Sequence, residues 1–131
     1  MASAIISYVK DSSQWVDGTR LSKFTVTCRS ATGGAATLSI PNFNGWWTKT
    51  VTDPGTTAPT DNYDITMIDE LGADAAEGLL IDRDAANTET KYMNVTGGVV
   101  PLLVNGTHTF TVANAGDEKD FVCTMYLVDH I

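Results

Sequence analysis

The chain has 131 residues, of which 43% are hydrophobic and 18% are charged. These values fit one globular domain over residues 1–131 that buries its own core, and they disfavour global disorder. Sixteen Asp and Glu residues outnumber eight Lys and Arg residues, for a formal net charge of −8. The few scattered basic residues cannot neutralise a nucleic-acid backbone, so no nucleic-acid partner is expected.

The charge is unevenly distributed. Residues 1–50 carry a net charge of +3, whereas residues 51–131 carry −11. The acidic part is either a solvated surface or a face that docks on a basic partner. The first residues carry no basic segment and only a short apolar run, so they do not resemble a signal peptide, and no window has the apolar length of a membrane span. We expect synthesis in a cytoplasm and no membrane contact.

The first elements are strands. Residues 4–9 are β-prone, and Asp17-Gly18 is a turn signal after Trp15. The segment Phe24 to Cys28 alternates apolar and polar residues, which predicts a strand with Phe24, Val26 and Cys28 facing the core.

The middle of the chain continues the β pattern. Short strands are predicted over residues 37–40 and 46–52, separated by a turn. Residues 53–60 hold two prolines and a glycine, so they are predicted to form a long connection rather than a strand. Alternation returns over residues 63–67, with Tyr63, Ile65 and Met67 on one face.

The last third contains one irregular segment and the predicted end of the fold. Residues 69–87 are acidic and interrupted by glycines, which predicts a loop or at most a short helix. Residues 92–103, with Gly97-Gly98 and Pro101, suit an edge strand or a bulged crossing, and Asn105-Gly106 is a hairpin signal. The alternating runs 107–113 and 121–128, separated by Asn114-Ala115-Gly116-Asp117, predict a closing antiparallel hairpin. Phe121, Cys123, Met125 and Leu127 are expected to face the core. Val122, Tyr126 and Val128 are also apolar, so a strand covered on both faces is the alternative.

These elements predict an all-β fold. Short strands at regular spacing are typical of an antiparallel β-sandwich or a partly closed barrel, immunoglobulin-like or jelly-roll-like, with one acidic loop or short helix.

No active site is predicted. His108, placed on the polar face of its strand, and His130, near the end, lack the neighbouring ligands of a zinc site. The acidic residues lack EF-hand spacing, and the glycine pairs match no phosphate-binding motif. Cys28 and Cys123 are expected to be buried free thiols, with a bridge formed after lysis or assembly as the alternative. We expect no enzymatic activity, no cofactor and no metal site.

Two groups of residues are candidates for partner binding. Trp46 and Trp47 are neighbours on a strand, so one is expected in the core and the other outside, where it can stack on a sugar ring or anchor an interface. The alternative is that both are packing residues. In the acidic loop, Asp69, Glu70 and Asp74 are expected to contact a basic partner. Their neutralisation is expected to weaken assembly and flatten its salt dependence while leaving thermal stability nearly unchanged.

An ordered set of segments resembles small structural proteins of tailed bacteriophages. The set comprises Tyr63 to Asp74, Gly78 to Asp84, and Thr107 to Gly116 with the strand that follows. It spans residues 60–128, and its acidic turn reads Asp-Glu-Leu-Gly where those proteins have an Asp-Gly-like turn.

The resemblance implies a virion structural protein, most simply a capsid decoration (cement) protein or a head, neck or tail component. Its partners would be the major capsid protein or neck and tail proteins, it would be a homo-oligomer in the particle, and it would be made in the host cytoplasm and located in the virion. The alternative is a carbohydrate-binding or receptor-binding β module in which Trp46 or Trp47 forms the stacking platform. Glycan binding that is lost on Trp47→Ala would favour this alternative.

Overall fold

The computed structural model describes residues 2–16, 18–95 and 100–129. These residues form nine strands and no helix, so the all-β prediction is confirmed and the acidic segment is a loop. The strands are β1 Ile5–Val16, β2 Thr19–Arg29, β3 Ala36–Ile40, β4 Gly45–Pro54, β5 Asp64–Ile68, β6 Glu89–Tyr92, β7 Leu102–Val104, β8 His108–Ala113 and β9 Asp120–Val128. Asp17, Gly97-Gly98 and His130 lie outside the described residues, as do the predictions made for them. Among the described residues, none forms a helix long and apolar enough to cross a membrane.

The strands form two antiparallel sheets that remain separate, so the fold is a sandwich rather than a barrel. The six-stranded sheet has the order β1-β2-β9-β4-β6, and β7 pairs with β4 beside β6. The three-stranded sheet has the order β3-β8-β5. The predicted edge position of residues 92–103 agrees with the placement of β6 and β7, the last strands on the β4 side.

The hairpin of β1 and β2 contains the longest strand of the fold, β1. Its register runs from Ile5 opposite Arg29 to Val16 opposite Thr19, with a bulge between Asp11 and Gln14. Gly18 lies in the turn with φ of 78°, a conformation that glycine adopts without steric cost. β1 has 12 residues and is twice as long as the strand predicted over residues 4–9.

The predicted closing hairpin is wrong. β8 pairs with β3 and β5, whereas β9 pairs with β2 and β4 in the other sheet. The connection between them is held at the end of the sandwich, where Ala115 N–H donates to Gly34 O at 3.1 Å and Ser30 Oγ donates to Gly116 O at 2.7 Å. Both strands place alternate apolar residues in the core, and this alternation is the same for strands that pair and for strands that face each other across a core.

One connection and one strand end also differ from prediction. Asn105-Gly106 connects β7 in one sheet to β8 in the other, so it is a crossing and not a hairpin. The strand predicted to stop at residue 52 continues to Pro54, which lies opposite Phe121. A proline is tolerated at that point because the N–H of Gly55 makes the hydrogen bond to β9, to Asp120 O at 2.8 Å, and the pairing of β4 with β6 ends at Thr52, so no ladder bond needs an N–H at residue 54.

The core lies between the sheets, and the predicted registers are confirmed. Phe24, Val26 and Cys28 of β2 and the alternate residues of β9 from Phe121 to Leu127 are buried, as are Tyr63, Ile65 and Met67. Phe43, in the turn before β4, packs edge-on against Phe24 and Trp47, with ring centroids 5.0 and 5.1 Å apart. This aromatic contact fixes the position of β4, the strand on which the candidate site is built.

Candidate functional site

The two adjacent tryptophans face opposite sides of the six-stranded sheet, as predicted. Trp47 is fully buried among Phe43 and other core residues, whereas Trp46 lies half-buried on the outer face. Trp47 cannot contact a partner of the folded chain, so its candidate binding role is replaced by a packing role. A loss of binding in Trp47→Ala would report on core disruption and not on a sugar contact.

A bulge in β4 places a second large side chain beside Trp46. The pairing of β4 with β9 shifts between Trp47 and Lys49, so Trp46 and Lys49 both face outward. Lys49 lies opposite Tyr126 on one side and Tyr92 on the other, and its ammonium nitrogen is 4.8 Å from the centre of the Tyr126 ring. Trp46 lies opposite Leu103 of β7.

These five side chains, Trp46, Lys49, Tyr92, Leu103 and Tyr126, form a surface that we call the outer patch. Tyr92 is 65% exposed and Leu103 is 63% exposed, although both are held by strand pairing on a rigid sheet. Sequence reasoning named Trp46 but missed Lys49, Leu103 and Tyr126. The available signal was the second apolar set of β9, Val122, Tyr126 and Val128, which indicates a strand with apolar residues on both faces.

The acidic residues predicted to bind a partner hold their own loop in shape. Asp69 Oδ1 accepts hydrogen bonds of 2.9 Å from the amides of Leu71 and Ala73. Asp74 accepts from three amides, those of Met67, Ala76 and Gly78, and uses both carboxylate oxygens. Side chains of this type stabilise turns by satisfying backbone donors that no strand pairs.

Glu70, the third predicted acid, joins the loop to the start of β8. Its Oε1 accepts a 3.0 Å hydrogen bond from Thr107 N–H, and an open cleft of about 590 Å³ lies between the acidic loop and β7. Asp69, Asp74 and Leu103 all line this cleft. The structure thus places Asp69 and Asp74 at the border of the outer patch, although the carboxylates of all three predicted acids are engaged within the chain.

Carboxylates next to the second half of the loop serve the same purpose. Asp64 Oδ1 accepts from the amide of Asp82, and its Oδ2 accepts from the side-chain amide of Asn114 at 2.7 Å. Asp84 accepts from the side chain of Asn87 and the amide of Ala86, and these hydrogen bonds lower the pKa of its carboxyl. The acidic segment therefore has a structural explanation that does not depend on a ligand.

The histidine placed on a polar face is in fact buried. His108 is in the core with its ring 5.2 Å from the Phe43 ring, and its Nδ1 lies 3.0 Å from Gly106 O. The exposed position predicted for it is wrong because the alternation of β8 begins at His108 itself, whose face continues with Phe110 and Val112. Its imidazole is apolar enough to pack while one nitrogen bonds to the backbone.

The two cysteines are buried, as predicted, and they are not bonded to each other. Burial raises the pKa of the Cys28 thiol to about 12, and burial also raises the pKa of the Cys123 thiol. Both thiols are therefore protonated near neutral pH and are poor nucleophiles. In the described part of the chain, no three His, Cys, Asp or Glu residues are grouped in a way that would hold a metal ion.

Comparison with known proteins identifies no family. No protein-family model matches the chain, and no curated protein matches it. Among solved structures, the chain is similar to one from a study of the promiscuous specificity of carbohydrate-binding modules from the β-sandwich superfamily, at 15% identity and a TM-score of 0.41. The match covers 96% of this chain and 53% of the other, so the chain spans about half the length of that protein. At this TM-score the similarity assigns neither a family nor a ligand.

Proposed function

We propose that this chain is a non-enzymatic structural protein of a tailed-phage virion that docks on neighbouring virion proteins through the outer patch. The observation that carries the proposal is the pair of exposed apolar side chains, Tyr92 and Leu103, which flank Lys49 and Trp46 on a rigid sheet. The ordered resemblance over residues 60–128 supplies the class of particle. Capsid decoration is the role that best suits a small sandwich with a preformed apolar surface.

The energetics of docking follow from burial. Complete burial of a large apolar side chain contributes about 1.5–3 kcal/mol, so Leu103 and the rings of Trp46 and Tyr92 can supply the centre of an interface. A stable interface buries roughly 800 Å² on each partner, which requires polar residues around this centre as well. Lys49 provides a cation within the patch, and on docking it would pair with an acceptor on the partner.

The chain's net charge orients this docking. The segment from Asp53 to Val95 contains ten acids and two bases, so it carries the full −8 of the chain. Part of this segment borders the outer patch through the cleft beside Leu103. A partner with a basic surface next to an apolar recess would therefore be attracted and correctly oriented.

Mass spectrometry of purified particles tests the location, and a substitution tests the surface. Detection at roughly hundreds of copies supports decoration, and about a dozen supports a neck or tail ring, as expected for symmetric assemblies. Leu103→Asp is expected to lower occupancy of particles at least about tenfold, which corresponds to ~1.4 kcal/mol. Ile81→Asp, a similar change at an exposed position outside the patch, is the control. Absence of the protein from particles would overturn the proposal.

A carbohydrate-binding function is the second candidate, and one specific observation favours it. Trp46, Tyr92 and Tyr126 lie on one face of a sheet, and aromatic rings presented in this way can stack on sugar rings. A glycan array separates the two functions. Micromolar binding that is lost in both Trp46→Ala and Tyr92→Ala, with circular dichroism unchanged, supports carbohydrate binding. Virion docking predicts no glycan signal.

A further inference from the structure

The six-stranded sheet has an open edge at β1. β1 pairs with β2 on one side and is the terminal strand of its sheet in the described part of the chain. At 12 residues it is longer than the other terminal strands, and the β5 edge, by contrast, is covered by its own loop, since Ala75 N–H donates to Met67 O. An open edge presents backbone donors and acceptors that another strand can pair with.

The first half of β1 has no feature that would block such pairing. Residues 4–9 contain no charge and no proline, and the bulge of the strand begins only after Asp11. Ile5 and Val9 face outward and are 70% and 69% exposed. Proteins usually protect long edges with charged side chains, prolines or bulges, so this segment is an edge available for association.

The charge distribution indicates a second copy of this chain as the partner. Residues outside 53–95 carry no net charge, and two arginines next to β1 are already paired, Arg20 with Asp129 and Arg29 with Asp120. Two copies that each carry −8 repel each other least where the near-neutral edges meet. That arrangement keeps the acidic segments on the far sides, beyond a Debye length of about 8 Å.

We propose that β1 pairs antiparallel with β1 of a second copy about a two-fold axis at Ser7. In this register Ile5 of each copy lies opposite Val9 of the other, so four exposed apolar side chains are buried on the outer face. Ile6 lies opposite Tyr8 on the core side, and the two six-stranded sheets become one continuous sheet. The pairing is self-complementary, as a two-fold interface requires. It does not depend on the outer patch, which lies on β4 and the strands next to it.

Sedimentation and light scattering on the purified chain test the dimer. The mass is expected to rise from 14.0 kDa toward twice that value with increasing concentration. Val9→Lys and Ile5→Lys place a cation on the edge and are each expected to raise the dissociation constant at least about tenfold. Leu71→Lys is the control, because it makes the same kind of change at a side chain in the acidic loop that is 94% exposed. This variant is expected to leave the dissociation constant of the dimer unchanged.

Cross-linking tests the register. Ser7→Cys is expected to form an intermolecular disulfide under mild oxidation because the two copies of residue 7 lie opposite each other at the axis. Thr27→Cys, which neighbours Ser7 on β2 and is also exposed, is the control and is expected to remain monomeric on a non-reducing gel. A chain that stays at 14.0 kDa at all concentrations, or a dimer that withstands both lysine variants, overturns the proposal. A dimer without the Ser7→Cys cross-link overturns the register.

Discussion

The indole Nε1 of Trp47 donates a 2.8 Å hydrogen bond to Thr50 Oγ1 inside the core. Residues three apart on a regular strand face opposite sides, but the bulge between Trp47 and Lys49 turns both of these side chains inward. The same bulge turns Trp46 and Lys49 outward together. One irregularity in β4 therefore satisfies a buried donor and assembles the outer patch.

Thr50→Val tests the inner half of this arrangement. The substitution keeps the shape of the side chain but leaves the buried Trp47 N–H without its acceptor, which is expected to lower the free energy of unfolding by about 1–3 kcal/mol. Urea denaturation followed by tryptophan fluorescence measures the change. Thr27→Val, on the exposed outer face, is expected to stay within roughly 0.5 kcal/mol of the wild type. Equal stability of the two variants would contradict a stabilising role for the hydrogen bond from Trp47 to Thr50.

Asp74→Asn tests whether the acidic loop is held by its carboxylates. One oxygen remains for the amides of Met67 and Ala76, but the new amide group faces the N–H of Gly78 and both are donors. We expect a loss of about 1–3 kcal/mol in the free energy of unfolding, and faster hydrogen exchange at Gly78. Glu118→Gln changes the same charge at an exposed side chain and is expected to be nearly neutral. This outcome would contradict the prediction from the sequence that neutralising the loop leaves thermal stability nearly unchanged.

Gly34→Ala tests the close approach of two turns at the end of the sandwich. A Cβ at Gly34 would lie 2.6 Å from Gly116 N and 2.9 Å from Ala115 N, at a φ of 89°. Gly33 has a φ of 100° but open space around it, so Gly33→Ala measures the backbone strain alone, about 1–2 kcal/mol. Gly34→Ala is expected to cost more than Gly33→Ala in thermal unfolding. A smaller or equal cost would show that the turns can separate freely.

Alkaline pH is expected to destabilise the fold through buried groups that are neutral in the native state. Burial raises the pKa of the Cys28 thiol from 9.0 to about 12 and also raises the pKa values of Cys123 and Tyr63. Below the ordinary thiol pKa these groups are protonated in both states and add no pH dependence. Above the ordinary pKa of each group, 9.0 for the thiols and 10.0 for Tyr63, the unfolded chain loses a proton that the folded chain retains, so stability falls as pH rises, by about 1.4 kcal/mol per pH unit for each such group.

Denaturant titrations at increasing pH measure this slope. Cys123→Ala removes one of the groups, so its stability is expected to fall less steeply with pH than that of the wild type, whatever its stability at neutral pH. Identical slopes for the two proteins would show that Cys123 does not contribute to alkaline unfolding.

The sequence predicts the faces of strands better than it predicts their partners. Alternation places Phe24, Val26 and the inward residues of β9 correctly because burial imposes the period of two. Alternation cannot distinguish a strand that pairs from one that faces it across the core, which is why the hairpin predicted at Asn114 is wrong.

The candidate site was predictable only in part, for a similar reason. The opposite orientations of Trp46 and Trp47 follow from strand geometry, but the shared face of Trp46 and Lys49 depends on a bulge that leaves no sequence signal at Thr48. Leu103 joins the patch through a pairing of β7 with β4 that spans more than fifty residues of sequence. Asp74 resembles any surface acid until the three amides that it binds are brought around it.

The position of β9 has a consequence for how the chain folds during synthesis. β9 lies between β2 and β4, so these two strands cannot join into one sheet until the ribosome has completed residues 120–128. The hairpin of β1 and β2 can form early. The second edge of β2 then stays unpaired until β9, about a hundred residues further along the chain, has been synthesised. Pairing over such separations is slow and leaves apolar strands exposed for longer. We expect nascent chains that end before β9 to lack the six-stranded sheet and to depend on chaperones.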